Sequence, residues 1–301
     1  ATLVSPAIQY STDGTTWTTY DSSNKPVGGA VFYVRVNITS EQDSPAVYEG
    51  TENFSLVAKY TANPSITDSA STAIVDDGTG TNYTGNVTGG SPATNTTSLD
   101  DDRALSVNTI TVNEGGGYAV FTVSANAGQT MDLELRDGTT NPTATSGTDY
   151  TNALEYWTGS GWASYTSGLT VPGGTANAPV SLYVRVAITN DTTFEKAEDF
   201  KLTATYTSGA SRTATGVATI VDDGTGTNYD GNITGGNPAT NTTSLNDDRA
   251  LSVNSITVNE GGGYAVFTVS ANAGQTMNLA LSDGTTNPTA TSGTDYTNAL
   301  E

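Results

Sequence analysis

The sequence predicts an all-β protein of antiparallel β-sandwiches in tandem, and three observations predict it. Apolar and polar residues alternate over short runs bounded by Gly, Pro, Asn or Asp, which is the period of half-buried strands. Thr, Ser, Asn and Gly fill the polar positions while charged residues make up only 14%, a mixture that suits strands and tight turns and is poor in helix formers. Residues 104–155 recur at 250–301 with an offset of 146, differing only at Thr109/Ser255, Asp132/Asn278, Glu134/Ala280 and Arg136/Ser282. Such self-similarity marks a repeat protein.

Residues 10–77 resemble 156–223, with four extra residues between Asn37 and Gly50. The chain therefore divides into the C-terminal part of one repeat (1–77), a linker (78–103), a complete repeat (104–223), a second linker (224–249) and the N-terminal part of a third repeat (250–301). In the first part, Asp13-Gly14 predicts a hairpin with a type I′ turn, because that pair accepts positive φ. In the complete repeat, Leu105 to Val112 and Tyr118 to Ser124 read as strands joined by a Glu114-Gly115-Gly116-Gly117 turn. Met131 to Leu135 follows, and the differences at 132, 134 and 136 mark its solvent face, with Met131, Leu133 and Leu135 inward. Ala153 to Trp157, Trp162 to Tyr165, Val180 to Ile188, Phe200 to Tyr206 and Ala214 to Val221 complete about seven strands, the number of a sandwich. Trp17, Trp157, Trp162 and Tyr183 read as core or cross-strand partners rather than a sugar-stacking platform. Each linker is rich in Gly, Thr, Asn and Pro. It reads as a solvated spacer, or as an ordered arm lying against a neighbour, since 26 residues is long for a connection.

Composition excludes several functions. With 31 acidic against 10 basic residues the net charge is -21, which repels nucleic acid and anionic membranes and attracts divalent cations. There is no His and no Cys, so His-based triads, thiol chemistry, the usual zinc sites and disulfides are absent. No apolar run is long enough to insert in a membrane. The first residues lack the basic start and apolar core of a signal peptide, and the chain reads as an interior window of a longer polypeptide.

The strand runs close in paired acids, Ile220-Val221-Asp222-Asp223-Gly224 and Ile74-Val75-Asp76-Asp77-Gly78. Adjacent carboxylates repel unless a cation sits between them. In a sandwich the strand ends gather at two poles, so acids far apart in sequence become neighbours. Glu114 follows the first strands, Asp149 lies in Gly147-Thr148-Asp149-Tyr150, and Asn190, Asp191, Glu195 and Glu198 occupy the loop between Ile188 and Phe200. With Asp222 and Asp223 they make an all-oxygen set, which selects Ca²⁺ over transition metals and over the more exacting Mg²⁺. Asp100, Asp101 and Asp102 stand just before the complete repeat, placed to face the acidic end of the preceding one.

These motifs carry a family resemblance. Val112-Asn113-Glu114-Gly115-Gly116, Gly147-Thr148-Asp149-Tyr150, the run from Asp191 through Glu195 and Glu198 to Phe200, and Ile220-Val221-Asp222-Asp223 resemble a Calx-β domain, in order, over the whole of 104–223. The resemblance implies a seven-stranded immunoglobulin-like sandwich that binds several Ca²⁺ ions at one pole. Carried over position by position, its ligands are Glu114, Asp149, Asp191, Glu195, Glu198, Asp222 and Asp223. Asn190 stands where the family often has the first Asp of a pair, and Gly224 where it has a third closing Asp. The first partial repeat retains Asp43, Glu49, Glu52, Asp76 and Asp77, with Leu3 in the place of Asp149, and the last retains Glu260 and Asp295.

The resemblance extends to large secreted bacterial surface proteins, in which such repeats alternate with Asp-Asp-Gly-Thr-Gly linkers. It implies a calcium-binding, non-enzymatic repeat region at the cell surface, the stalk of an adhesin or an extracellular fibre, whose partners are calcium ions and neighbouring repeats or copies of itself. Two readings stand beside it. The chain begins and ends inside a repeat, so one molecule could complete the next by strand pairing and build a head-to-tail filament. The family also serves as a Ca²⁺-sensing regulatory domain of transporters. A glycosidase would need two carboxylates across a cleft, whereas these cluster as ligands. Asn37, Asn86, Asn95 and Asn232 head Asn-x-Thr triplets and leave surface glycans open.

Overall fold

The structure is a computed structural model of the chain and describes residues 8–27, 31–38, 47–96, 99–139, 143–242, 245–286 and 289–300. Leu3 and Asp43 lie outside these residues. Two compact units are present: the larger holds the described residues up to 191 and from 195 to 246, the smaller 192–194 and those from 247 onward.

The complete repeat is a two-sheet sandwich. Its strands are β1 (Leu105–Val107), β2 (Ile110–Asn113), β3 (Tyr118–Asn126), β4 (Thr130–Asp137), β5 (Tyr150–Trp157), β6 (Trp162–Ser164), β7 (Leu169–Thr170), β8 (Pro179–Ile188), β9 (Glu198–Tyr206) and β10 (Thr213–Val221). The segment after it adds β11 (Tyr229–Thr234) and β12 (Asn237–Thr240). One sheet runs β6-β5-β8-β3-β11-β12 with β1 also on β3, and the other runs β7-β4-β9-β10-β2. Pairing is antiparallel except between β10 and β2, which run parallel.

Period-two patterning decides which side chains meet between the sheets. On β9, Phe200, Leu202, Ala204 and Tyr206 are buried while their neighbours are half-exposed. On β4, Met131 and Leu133 are buried and Asp132, Glu134 and Arg136 are exposed, the face that the repeat differences mark. Phe200 holds the centre, stacked on Tyr150 at 4.4 Å and meeting the edge of Phe121 at 5.9 Å between ring centroids. On the outer face, Thr203 with Thr215 and Thr205 with Thr213 form cross-strand hydroxyl pairs at 3.0 and 3.1 Å.

Two local expectations are corrected. The run Leu105 to Val112 is two strands, β1 on β3 and β2 on β10. Asn108 divides them by taking the Thr122 N–H on its own side-chain oxygen at 2.7 Å, which ends the ladder and lets the chain cross between sheets. The Asp13-Gly14 hairpin exists, Gln9–Ser11 pairing with Thr18–Thr19, but its turn is not type I′. Only Gly14 has positive φ, and Asp13 instead accepts the Thr15 and Thr16 N–H groups at 2.8 and 2.7 Å, a side-chain-capped loop.

Both linkers carry a hairpin folded back on the preceding strands. β11 meets β3 at the Tyr118–Tyr229 pair, Arg185 Nη1 donates to the Gly231 carbonyl at 2.7 Å, and the Tyr183 hydroxyl donates to that of Gly236 at 2.6 Å. In the first linker, Asn82–Thr88 pairs with Ser91–Asn95. There Arg35 donates to Gly85 at 2.8 Å and Tyr33 to Gly90 at 3.0 Å, the same contacts one repeat earlier. Arg185 is clasped by Tyr118 and Trp162, each ring 4.3 Å away, and by Glu155 at 2.7 Å. Trp157 and Trp162 face each other across β5 and β6.

In the smaller unit, Leu251–Val253 pairs with Val269–Ala271. Its Val258, Phe267 and Met277 are exposed. Among the described residues no helix is long and apolar enough to cross a membrane.

Candidate metal centre

The parallel pairing of β2 and β10 sets Val112 beside Ile220 and Asn113 beside Val221, so Glu114 and Asp222 leave the sandwich side by side. Their carboxylate oxygens lie within 4.8 Å of one another, and the two residues are only 4% and 3% exposed. Buried Asn113 fixes the chain beneath them. Its amide donates to the Thr225 and Asn246 carbonyls at 2.9 and 3.0 Å, and its oxygen accepts from Asn246 N–H at 2.8 Å.

A second group forms around the start of β9. One carboxylate oxygen each from Asp149, Glu195 and Glu198 lies within 4.8 Å of the others. Asp149 is oriented by the Thr145 N–H at 2.6 Å, and its carbonyl holds the Thr189 N–H at 2.9 Å. The loop between β8 and β9 ties both groups to one pole, the Asp191 N–H donating to Glu114 Oε1 at 3.0 Å and the Glu195 N–H to Asp222 Oδ2 at 3.2 Å. Glu114, Asp149, Glu195, Glu198 and Asp222 line a shallow recess there, with Lys196 its basic lining residue.

Burial and mutual repulsion disfavour the charged forms. Burial pushes Glu114 up to about 7, helped by the charges of Asp222, Asp191 and Glu195 against the pull of the Asp191 N–H. Glu198 is likewise pushed up to about 7 by burial and the charges of Asp149 and Glu195. Glu195 is raised by burial and by Asp149, Asp191 and Asp222.

Other expected ligands are placed differently. The Asp223 carboxylate accepts from the N–H and hydroxyl of Thr225, the former at 3.1 Å, and it caps the turn at Gly224. Asp77 treats Thr79 in the same way. In the preceding repeat, Asp76 gathers with Asp100 and Asp102 within 4.8 Å, as the placing of those linker acids suggests. Its Oδ2 accepts the Glu49 N–H at 3.3 Å, and half-buried Glu52 lies opposite Ile74. Glu260 and Asp295 are exposed and join no such group among the described residues. Asp137 is a residue that sequence reasoning missed. It takes the Tyr150 hydroxyl at 2.6 Å and the Ser146 N–H at 3.0 Å, bracing the loop that carries Asp149; its only signal is an Asp-Gly step before a polar loop.

The donor set fits a hard cation. It is entirely oxygen, and Glu114 Oε2 is buried without a hydrogen-bond partner, an arrangement that ordinarily costs a protein stability. Glu114, Asp222, Asp149, Glu195 and Glu198 would hold Ca²⁺, with Asp191 beside them. The ion would supply positive charge that lets these carboxylates ionise together.

Fold and site together define a tandem-repeat β-sandwich protein with an acidic, all-oxygen pole at the strand ends. A family profile for the Calx-beta domain matches residues 101–156, 177–224 and 247–300, just over half of the chain, and the chain belongs to this family. Among solved structures it is similar to the apo-form Calx CBD1 domain, at 19% identity over 40% of this chain and 97% of that one, with a TM-score of 0.28. It is also similar to the calcium binding domain CBD12 of CALX1.1, at 20% identity over 40% of this chain and 44% of that one, TM-score 0.30. For CBD12 from CALX1.2 the figures are 19%, 39% and 45%, with a TM-score of 0.27. The chain thus spans less than half the length of either CBD12 structure. No curated protein matches it.

Proposed function

We propose that the chain is a calcium-binding repeat region of a large secreted bacterial surface protein, forming the stalk of an adhesin or an extracellular fibre that Ca²⁺ stiffens. The observation that carries the calcium reading is the unpartnered Glu114 Oε2, buried among like charges. The ligands are Glu114, Asp149, Asp191, Glu195, Glu198, Asp222 and Asp223 in the complete repeat, with Asp223 also capping the turn at Thr225. In the flanking repeats Asp76, Asp77, Glu49, Glu52, Glu260 and Asp295 are their counterparts. The stalk reading is supported by near-identity at a period of 146 residues, which a structural array needs and a single sensor does not. Such a role is one of binding rather than catalysis, at the cell surface, where calcium-dependent modules work at about 10⁻⁴–10⁻³ M Ca²⁺. Thermal melting with and without excess chelator tests it, and a curve that chelator leaves unmoved sinks the calcium reading.

A further inference from the structure

Arg103 is the largest fully buried side chain of the described residues and is not part of the acidic pole. It forks onto Asp101, with Nε to Oδ1 and Nη2 to Oδ2 both at 2.8 Å. Its other contacts are carbonyls from two different repeats, two of them sharing Nη2 with Asp101. Nη2 donates to Asp77 at 2.9 Å, where the preceding repeat ends, and to Ala210 at 2.7 Å, and Nη1 donates to Ser208, both in the β9–β10 loop. The guanidinium also lies 4.8 Å from the Tyr206 ring. A buried cation with this many acceptors is strongly held only while both sides of the joint stay in place.

The surrounding backbone is shaped for the same approach. Gly209 has φ +70, and a Cβ there would stand 2.8 Å from both Arg103 Nη1 and the Asp77 carbonyl. A Cβ on Gly78, φ +73, would stand 2.6 Å from Ala210 Cβ. Two further contacts cross the joint: Gln129 Nε2 donates to the Tyr48 hydroxyl at 3.1 Å, and Asn177 Nδ2 to the Glu49 carbonyl at 2.9 Å. Asp247 and Arg249, 146 residues on, make the same fork at 2.7 and 2.6 Å.

We propose that the pole of the complete repeat opposite its own acidic pole, built from the loops at 129, 177 and 208–210, is a docking surface for the acidic end of the preceding repeat, with Arg103 as the pin. The joint between these two repeats is then held at a fixed angle by direct contact. The pin's own contacts are carbonyls and the Asp101 carboxylate, which is not one of the three gathered acids Asp76, Asp100 and Asp102.

The chain has no Cys, so spin labels at Thr51→Cys and Ser167→Cys, one on each side of the joint, report its angle directly. Measured by pulsed dipolar spectroscopy in calcium, the protein is expected to give one narrow distance distribution, and Arg103→Ala to lose it while the near-ultraviolet circular dichroism of the complete repeat is retained. Should Arg103→Ala not fold, Gly209→Ala, which crowds the pin without removing it, is expected to broaden the distribution likewise. A broad distribution in the parent protein overturns the proposal, and so does a narrow one that survives in the folded variants. Repeating the measurement in chelator separates the two readings, for a melting curve that ignores chelator removes the calcium site and leaves the pin standing.

Discussion

The Asp191 N–H donates to Glu114 Oε1 at 3.0 Å, while the other oxygen of Glu114 points into a buried space that offers it no donor. One half of a carboxylate is thus positioned by the loop that also carries Glu195 and leads into Glu198, and the other half is left for something outside the protein. Buried carboxylates are ordinarily satisfied at both oxygens.

Glu114→Gln separates the two consequences of that arrangement. In chelator the amide removes a buried, unsatisfied charge among like charges, and the melting temperature is expected to rise by a few degrees. In excess calcium the same substitution removes a ligand, and the melting temperature is expected to fall below that of the parent. Differential scanning calorimetry in both conditions reads both signs.

Calcium at about a hundredfold over its dissociation constant stabilises a folded domain by ~2.7 kcal/mol. For a sandwich of this size the shift is roughly 10 °C. Melting followed by circular dichroism in chelator and then in calcium is expected to show it, with magnesium giving a much smaller shift because it gives up its waters reluctantly.

The pH dependence has a definite sign. Glu114 and Glu198 are raised from 4.5 to about 7 in the folded chain, so the folded state binds protons more tightly than the unfolded one. Their contribution without calcium is full below about pH 4.5 and is lost as the pH rises through about 7. Asp137, which the Tyr150 hydroxyl holds below the usual range, acts oppositely, and only at lower pH. Calcium-free melting temperature is therefore expected to fall between about pH 5 and pH 7.5, and the gain on adding calcium to grow over the same window as the ligands deprotonate. A calcium-free curve flat across that window contradicts the assignment of both glutamates.

Phe200 links the core to the pole, two residues after Glu198 and stacked on Tyr150. Phe200→Ala is expected to cost about 3–5 kcal/mol, as large-to-small core changes do. Chemical denaturation measures it. Calcium affinity is expected to weaken as well, because Tyr150 loses the ring that holds it under Asp149.

Much of this was legible before any coordinates, for reasons that differ by element. Strand faces follow from alternation, which is why Met131 and Leu133 fall inside and Asp132 and Glu134 outside. The acids at strand ends were legible because a sandwich has only two places for strand ends to go. The break at Asn108 was not, since a side chain that replaces a ladder bond leaves no mark on hydrophobic periodicity. Nor was the capping role of Asp223, because a carboxylate beside Gly-Thr serves a turn or an ion equally well until the backbone is seen. An ordered arm was legible from the length of the linkers, but its hairpin was not, because it is seated by the reach of Tyr183 and Arg185, and of Tyr33 and Arg35 before them, to glycine carbonyls. The burial of Arg103 gave no sequence signal, because the Ser208 and Ala210 carbonyls that it reaches lie in a segment far along the chain.

The placing of β1 and β11 on β3 bears on how near-identical neighbours coexist in one chain. A bare strand margin in one copy is a template for the matching strand of the next, and copies this similar would exchange segments or stack into aggregates. Here β1 takes the Val123–Ala125 stretch of β3 and β11 meets it at Tyr118, so that margin is occupied by the repeat's own first strand and its own outgoing segment. The connecting segment thereby serves as a guard against mispairing, and removing its hairpin would be expected to cost solubility.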